Sequence, residues 1–248
     1  MIIAVANQKG GVGKTATAHA IATGATSLGK KSLAVDLDAQ GNLSFCMGGN
    51  SADAGIYELL TKQATPGQTI QKTKQGDILV ASSRLTLADT EFSGDDRLYA
   101  LRNVLKPLRK KYDVITIDCP PALNVLSANA LVAADKVIIP LTADTFALQG
   151  LYQLVATIRD AQKVNPALVI GGVVLTRYSA RTIITRDITK VLEETCERLD
   201  VPLYKTTIPE GVAIREAQTL RESIFDYAPK SRPVKAYAEL VNEILLTE

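Results

Sequence analysis

A short apolar run, Ile2 to Ala6, leads directly into Lys9-Gly10-Gly11-Val12-Gly13-Lys14-Thr15, and a helical pattern follows from about Lys14 to Leu28. This junction constrains the fold more than any other feature of the chain. Gly10, Gly11 and Gly13 let the backbone curl so that its N–H groups point inward at an anion. The helix that begins at Lys14 adds its positive N-terminal end to the same place. Lys14 is then placed to reach β- and γ-phosphates, and the Thr15 hydroxyl to ligate Mg²⁺. The loop departs from the pattern G-x-x-x-x-G-K-[ST] at its opening, where Lys9 stands. Lys9 comes too early in the loop to share the task of Lys14. A lysine there can cross to the phosphates of a facing subunit and neutralise charge, which requires a dimer that sandwiches two nucleotides.

The rest of the chain repeats the alternation of strand and helix that this junction begins. Apolar, β-branched runs predict strands at Ser32 to Leu37, Ile78 to Ala81, Asp113 to Ile117, Lys136 to Leu141 and Leu168 to Leu175, with a weak one at Pro202 to Lys205. Helical patterns fall near 97–111, 124–133, 147–164, 183–199, 211–221 and 231–246, and Gly29 stops the first helix. Strands that are apolar throughout need helices on both faces. The prediction is therefore an α/β fold, a single doubly wound P-loop domain over 1–248 with a mainly parallel twisted sheet. The stretch 38–76, rich in Gly, Gln, Asn, Ser and Thr, reads as loops at the site plus an insertion, with a short helix at Ile56 to Lys62.

Composition excludes several classes. The 28 Lys and Arg against 26 Asp and Glu leave a net charge of +2, so the chain is no polycation and any nucleic-acid contact must come from local clusters. No apolar run reaches the ~18–20 residues needed to cross a bilayer. The chain opens straight into a strand, so no secretory signal is read. Three widely spaced cysteines, Cys46, Cys119 and Cys196, argue against a disulfide framework and for a cytoplasmic protein.

Acids at strand ends complete the phosphate chemistry. Asp36 and Asp38 share one face of an extended chain at the carboxyl end of the second strand, the edge where such sheets bind ligands. A carboxylate there can hold metal-bound water or orient an attacking water. Asp118 closes the apolar run Val114-Ile115-Thr116-Ile117 and is placed to reach the metal shell.

Taken together, Asn7 to Thr15, Asp36-Leu37-Asp38-Ala39-Gln40-Gly41-Asn42 and Asp118-Cys119-Pro120-Pro121 resemble the ParA/Soj partition ATPases. These form the deviant-Walker-A branch that also contains the MinD septum-positioning ATPases. The resemblance continues through Ala134-Asp135, Ala147-Leu148-Gln149-Gly150-Leu151, Ala180-Arg181-Thr182 and Ile208-Pro209 to Tyr227-Ala228-Pro229-Lys230-Ser231-Arg232, leaving out roughly 45–95. It implies ATP and Mg²⁺ as cofactors, a homodimer formed on ATP binding, nonspecific DNA binding, and slow hydrolysis stimulated by a ParB-type centromere-binding partner. Matched by position, Lys9 is the intermolecular lysine, Lys14 the P-loop lysine and Asp38 the residue that positions the hydrolytic water. Thr15 and Asp118 become metal residues and Asp36 supports the metal and the switch region. Gly10, Gly11, Val12, Gly13, Lys14, Thr15 and Ala16 hold the phosphates, and Pro209, Gly211 and Val212 belong to the late loop that recognises adenine. Ala39, Ala16 and Ala20 stand where the family commonly has proline, threonine and asparagine, and none of them removes a phosphate or metal ligand. On that resemblance the sequence opens at the ATPase domain itself, and the operator-binding helix-turn-helix of larger partition ATPases is not expected.

For DNA, the candidates are Arg181, Arg186, Arg215, Lys230 and Arg232, and the resemblance singles out Arg181. Residues 176–248 hold 11 basic and 12 acidic side chains, so an ordinary mixed-charge surface is the competing reading. Three rivals stand beside partition. A MinD-like membrane role wants a basic amphipathic tail, but Glu239, Glu243 and Glu248 mark the polar side of the last helix, so no membrane is expected. A nitrogenase iron-protein role wants cysteines spaced to share a cluster between subunits. The third is a relative that positions another cargo from a DNA-bound gradient. On the partition reading the protein is cytoplasmic and nucleoid-associated. His19, the Lys106 to Lys111 cluster and Tyr178 read as packing or surface residues.

Overall fold

Along β1 (Ile2–Val5), Ile2 and Ala4 enter one hydrophobic cluster while Ile3 and Val5 enter another, so the first strand already needs cover on both faces. The computed structural model describes residues 1–92, 94–144, 146–179 and 183–246. After β1 come α1 (Lys14–Ser27), β2 (Ser32–Asp36), α2 (Asn42–Cys46), α3 (Ile56–Leu60), α4 (Pro66–Thr69), β3 (Ile70–Thr73), β4 (Gly76–Leu79), α5 (Ala88–Glu91) and α6 (Ala100–Leu105). The second half continues with β5 (Val114–Asp118), α7 (Val125–Ala133), β6 (Lys136–Thr142), α8 (Ala147–Val164), β7 (Val169–Thr176), α9 (Ile183–Leu199), α10 (Val212–Leu220), α11 (Ile224–Tyr227) and α12 (Arg232–Leu246).

The sheet has seven strands in the order β3-β4-β2-β5-β1-β6-β7, and every neighbouring pair is parallel except β3 with β4. This is the doubly wound α/β class that the strand pattern predicts. Register sets the site. Val5 lies opposite Asp118 and Asp118 opposite Asp36, so the carboxyl ends of β1, β5 and β2 finish in one row. Helices α7, α8 and α9 contribute Leu126, Leu151 and Leu192 to the core on one face. On the other face α1 and α12 meet through Ile21, Tyr237 and Leu240. The apolar side of α12, including Val234, Val241 and Ile244, is buried there, which uses up the face a membrane would need.

Several elements differ from expectation for identifiable reasons. The predicted helix 97–111 is broken into a 3₁₀ turn, α6 and a second 3₁₀ turn at Leu108–Lys110. Pro107 lies at the break, where it has no N–H to continue the ladder. Within the basic cluster that follows, Arg109 is not merely solvated: it donates to Asp135 at 2.8 Å and to the Ala133 carbonyl at 3.2 Å. The irregular stretch 38–76 hides an edge strand, β3, whose Ile-Gln-Lys-Thr sequence carries no apolar run. The weak strand at Pro202 to Lys205 is an irregular segment alongside β7, touching it through a bridge from Val173 to Leu203 and hydrogen bonds from Tyr204 to Val173 and from Ile208 to Leu175.

One buried polar hub ties the α1 face together. The Nε2 of His19 lies 2.7 Å from Oε1 of Gln75, while Gln75 Nε2 donates to the carbonyls of Cys46 (2.8 Å) and Arg221 (3.0 Å). Because the amide N–H groups are spent on carbonyls, Oε1 is the acceptor and His19 carries its proton on Nε2. The Nδ1 of His19 is buried without a partner among the described residues, and burial lowers the imidazole's pKa even though the Gln75 bond works to raise it.

Candidate active site

The loop between β1 and α1 turns through two left-handed glycines, Gly11 at φ 74° and Gly13 at φ 83°, a conformation that side chains strongly disfavour. Its flanks are anchored to neighbouring strand ends. Asn7 donates to the Pro140 carbonyl at 2.7 Å and accepts the Lys9 N–H at 2.9 Å. Thr176, at the end of β7, donates to the carbonyl of Val12 at 2.8 Å. Val12 itself is fully buried. Lys14 is buried too, and its ammonium donates to the Lys9 carbonyl at 3.0 Å. Burial lowers its pKa, opposed chiefly by the charge of Asp118.

The carboxylates behave differently from one another. Asp36 is fully buried and already bonded: Oδ2 accepts from the Ser44 N–H at 2.7 Å and hydroxyl at 2.8 Å, and Oδ1 from the Asp38 N–H at 3.1 Å. Burial pushes its pKa up to about 6, against the pull of those bonds. Asp36 therefore enters the site as the brace of the Asp38 loop and α2, with its oxygens committed, rather than as an open metal ligand. Among the described residues neither oxygen of Asp118 finds a hydrogen-bond partner at ordinary geometry, although both are buried. Its pKa is raised well above its ordinary value, first by burial and then by Asp36, while the Thr15 hydroxyl and Lys14 work to lower it. A buried carboxylate with both oxygens open, beside Thr15, suits a hard divalent cation. Asp38 is half-buried, and its Oδ1 accepts the Gln40 N–H at 3.0 Å.

Two adjoining cavities follow from this arrangement. One of about 440 Å³ is lined by Gly10, Lys14, Thr15, Asp38, Asn42 and Phe45. The other, about 230 Å³, is lined by Thr176, Arg177, Pro209, Gly211 and Ile214. Gly11, Gly13, Ala16 and Gln218 border both, so the larger compartment at the glycine loop adjoins a smaller, base-sized one beside the late loop. Val212, expected in the late loop, is 59% exposed and outside both linings. Sequence reasoning missed Ser44, Phe45, Thr176, Arg177 and Gln218. Only Thr176 and Arg177 carry a signal, the same position after a strand's carboxyl end that marks Asp36 and Asp118.

The basic candidates separate. Arg215 is on the rim of the base-sized cavity. Arg186 is exposed on α9, and Arg181 lies outside the described residues. Lys230 and Arg232 come together with Lys205 and Lys235 around a groove of about 610 Å³, with Glu239 on its edge. None of those four cations forms an ion pair among the described residues. The cysteines are all buried and unpaired, at three separate places in the fold, and burial pushes the Cys46 and Cys196 thiols up to about 12 and about 11.

Strand order, glycine loop and strand-end acids define a P-loop nucleotide-binding protein of the doubly wound class. Comparison narrows the class. A family model described as an AAA domain matches residues 1–170. The sporulation initiation inhibitor protein Soj of Bacillus subtilis is 38% identical over 98% of this chain and 97% of its own length. The chromosome partitioning protein ParA of Caulobacter vibrioides is 35% identical over 100% and 94%. Among solved structures, a Mycobacterium smegmatis protein described as cobyrinic acid a,c-diamide synthase, with bound ADP and magnesium, superimposes with a TM-score of 0.84 at 35% identity, covering 97% of this chain and 92% of that one. The septum site-determining protein MinD of Pyrococcus horikoshii, complexed with Mg-ADP, gives a TM-score of 0.81 at 28% identity, covering 98% and 95%. The chain belongs to the Soj/ParA family of partition ATPases. No helix among the described residues is long and apolar enough to cross a membrane.

Proposed function

We propose that this chain is a Mg·ATP-driven partition ATPase: ATP closes a homodimer, the dimer occupies DNA without sequence preference, and hydrolysis, stimulated by a ParB-type partner, releases it. The observation that carries the nucleotide chemistry is the pairing of the Gly11/Gly13 cradle with the open carboxylate of Asp118. Thr15 and Asp118 are the residues that would hold Mg²⁺, and the ion would supply positive charge against the phosphates. The loop N–H groups and Lys14 bind the phosphates, and Asp38 orients water for in-line attack on the γ-phosphate. Lys9 of a facing copy supplies the remaining positive charge. Leu123 and Phe146 are exposed in the connections that follow β5 and β6, and Phe45 is exposed on α2 beside the loop's cavity, apolar surface that suits a second copy of the chain.

The groove of Lys205, Lys230, Arg232 and Lys235 is the surface best suited to a phosphate backbone, since its cations are exposed and form no ion pair among the described residues. The partition role is supported by relatives named as chromosome partitioning proteins, and on this reading the protein works in the cytoplasm on the nucleoid. The deciding experiment is binding to random-sequence DNA at fixed salt with ATP, with ADP and without nucleotide, with Asp38→Ala as the hydrolysis-blocked control. Tight binding only with ATP, retained by Asp38→Ala, is the expected result. Equal weak binding in all three states would remove DNA as the output and favour a protein or membrane cargo.

A further inference from the structure

Lys9 has its main chain fixed on both sides of its Cα. Its N–H is bonded to Asn7 and its carbonyl receives the Lys14 ammonium, so only the side-chain torsions are left to decide where its own ammonium goes. That ammonium is 2.5 Å from Oδ2 of Asp144, in the connection between β6 and α8. The two side chains are 42% and 36% exposed, so the pair stands at the surface, within reach of anything that approaches the mouth of the loop. Asp144 is itself well fixed. Its Oδ2 also takes the Thr142 hydroxyl and its Oδ1 the Phe146 N–H at 3.1 Å. Partial burial works to raise the pKa of this carboxyl, but the bonds from Lys9 and Thr142 outweigh it and hold it below the usual value.

The geometry points to Asp144 as a positioning residue that holds Lys9 on its own subunit and thereby sets how much nucleotide is needed to close the dimer. This inference rests on the proposed role of Lys9 in a facing subunit. One ammonium on a main chain fixed at both ends cannot stay 2.5 Å from Asp144 and also reach across to another copy. The partner's nucleotide must therefore win Lys9 from Asp144. Phe146, 69% exposed and hydrogen-bonded to the same carboxylate, belongs to that apolar surface, so exchange at Lys9 is felt where the second copy would dock. An exposed ion pair sets a modest scale, so release should shift the closing threshold roughly two- to fivefold.

Asp144→Asn separates the latch from the fold, because Asn keeps an acceptor for the Phe146 N–H and loses the charge that holds Lys9. The test follows dimerisation by light scattering against the concentration of Mg²⁺ and a non-hydrolysable ATP analogue. Asp144→Asn should half-dimerise at two- to fivefold less nucleotide than the wild type, and the difference should vanish in a Lys9→Ala background. A second readout needs no dimer: acylation of the Lys9 side chain in the nucleotide-free protein, through the free amine left when the ammonium gives up its proton, should be faster in Asp144→Asn by a similar factor, as read by mass spectrometry. Should Asp144→Asn fail to fold, Thr142→Val, which loosens Oδ2 from its other partner, is read by the same acylation assay and should also change the rate. An unchanged threshold, an unchanged acylation rate, or an effect that survives Lys9→Ala would overturn the inference while leaving the dimer intact. A wild type that stays monomeric with nucleotide would overturn the dimer reading first, and the latch with it.

Discussion

In the phosphate cleft, three charged groups are held by backbone, Lys14 on the Lys9 carbonyl, Asp36 on the Ser44 and Asp38 N–H groups and Asp38 on the Gln40 N–H, while Asp118 is buried at the end of its strand. In the groove of Lys205, Lys230, Arg232 and Lys235 the cations come from separate segments and none is paired with a carboxylate among the described residues. The first arrangement spends stability on fixed geometry, as a site for in-line displacement requires. The second spends almost none, as suits a surface that reads charge and no sequence. A buried group there is hard to replace, and an exposed one is replaceable by a neighbour.

The comparison breaks most visibly at Lys14. Lys14→Ala should lower single-turnover ATP hydrolysis by on the order of 10²–10³-fold, because a preorganised charge at the phosphates is lost and no neighbour can substitute for it. A loss below tenfold would mean that the cleft shares its charge as loosely as the groove. In the groove, Lys230→Glu with Arg232→Glu should weaken ATP-dependent DNA binding roughly tenfold at low salt. The slope of log affinity against log salt should flatten by about one for each phosphate the variant no longer neutralises. An unchanged slope would move the DNA surface to Arg186 or Arg215.

Asp118 sharpens the comparison in the opposite sense. Asp118→Asn removes a buried carboxylate without partners, so the nucleotide-free protein should become more stable by about 1–3 kcal/mol in denaturant titrations. The same variant should lose the extra stabilisation that Mg²⁺ adds to ATP. Stabilisation of both states would show that Asp118 is structural.

The smallest expected effect comes from His19. Its folded-state pKa lies below the ordinary value of 6.5, so its neutral form is favoured in the fold. The corresponding stability is complete above pH 6.5 and is lost as pH falls below it, because the unfolded chain takes up a proton the fold resists. Asp36 acts the other way: its raised pKa favours the fold at low pH, a contribution lost as pH rises through about 6. The difference between wild type and His19→Gln cancels the carboxylate. Melting temperature should fall more between pH 7.5 and pH 5 in the wild type than in the variant; parallel curves would show that His19 does not sense pH.

The cleft is legible in the sequence because its parts are local. One strand, one glycine loop and one helix declare themselves in the first turns of the chain, and the acids stand at the ends of apolar runs. The long helices α8 and α9 are legible to the residue for a similar reason, as sustained periodicity over many turns. What escapes depends on contacts between distant segments. The edge strand β3 exists because β4 offers it a ladder, and Gln75 looks like a turn residue until three helices gather around it. Asp144 looks like the cap of α8 until the loop brings Lys9 onto it. Arg215 reads from sequence as a DNA-binding residue, yet its helix carries it to the rim of the base-sized cavity.

The irregular segment alongside β7 has a consequence for assembly. It reaches β7 through the Pro202 carbonyl and the Ile208 N–H, and its two prolines, Pro202 and Pro209, have no N–H to offer an incoming strand. At the opposite rim, β3 is four residues long and presents the exposed Lys72. Both borders of the sheet are thus blunted against strand addition. Copies brought together at high local concentration are thereby disfavoured from adding strand to strand along either border.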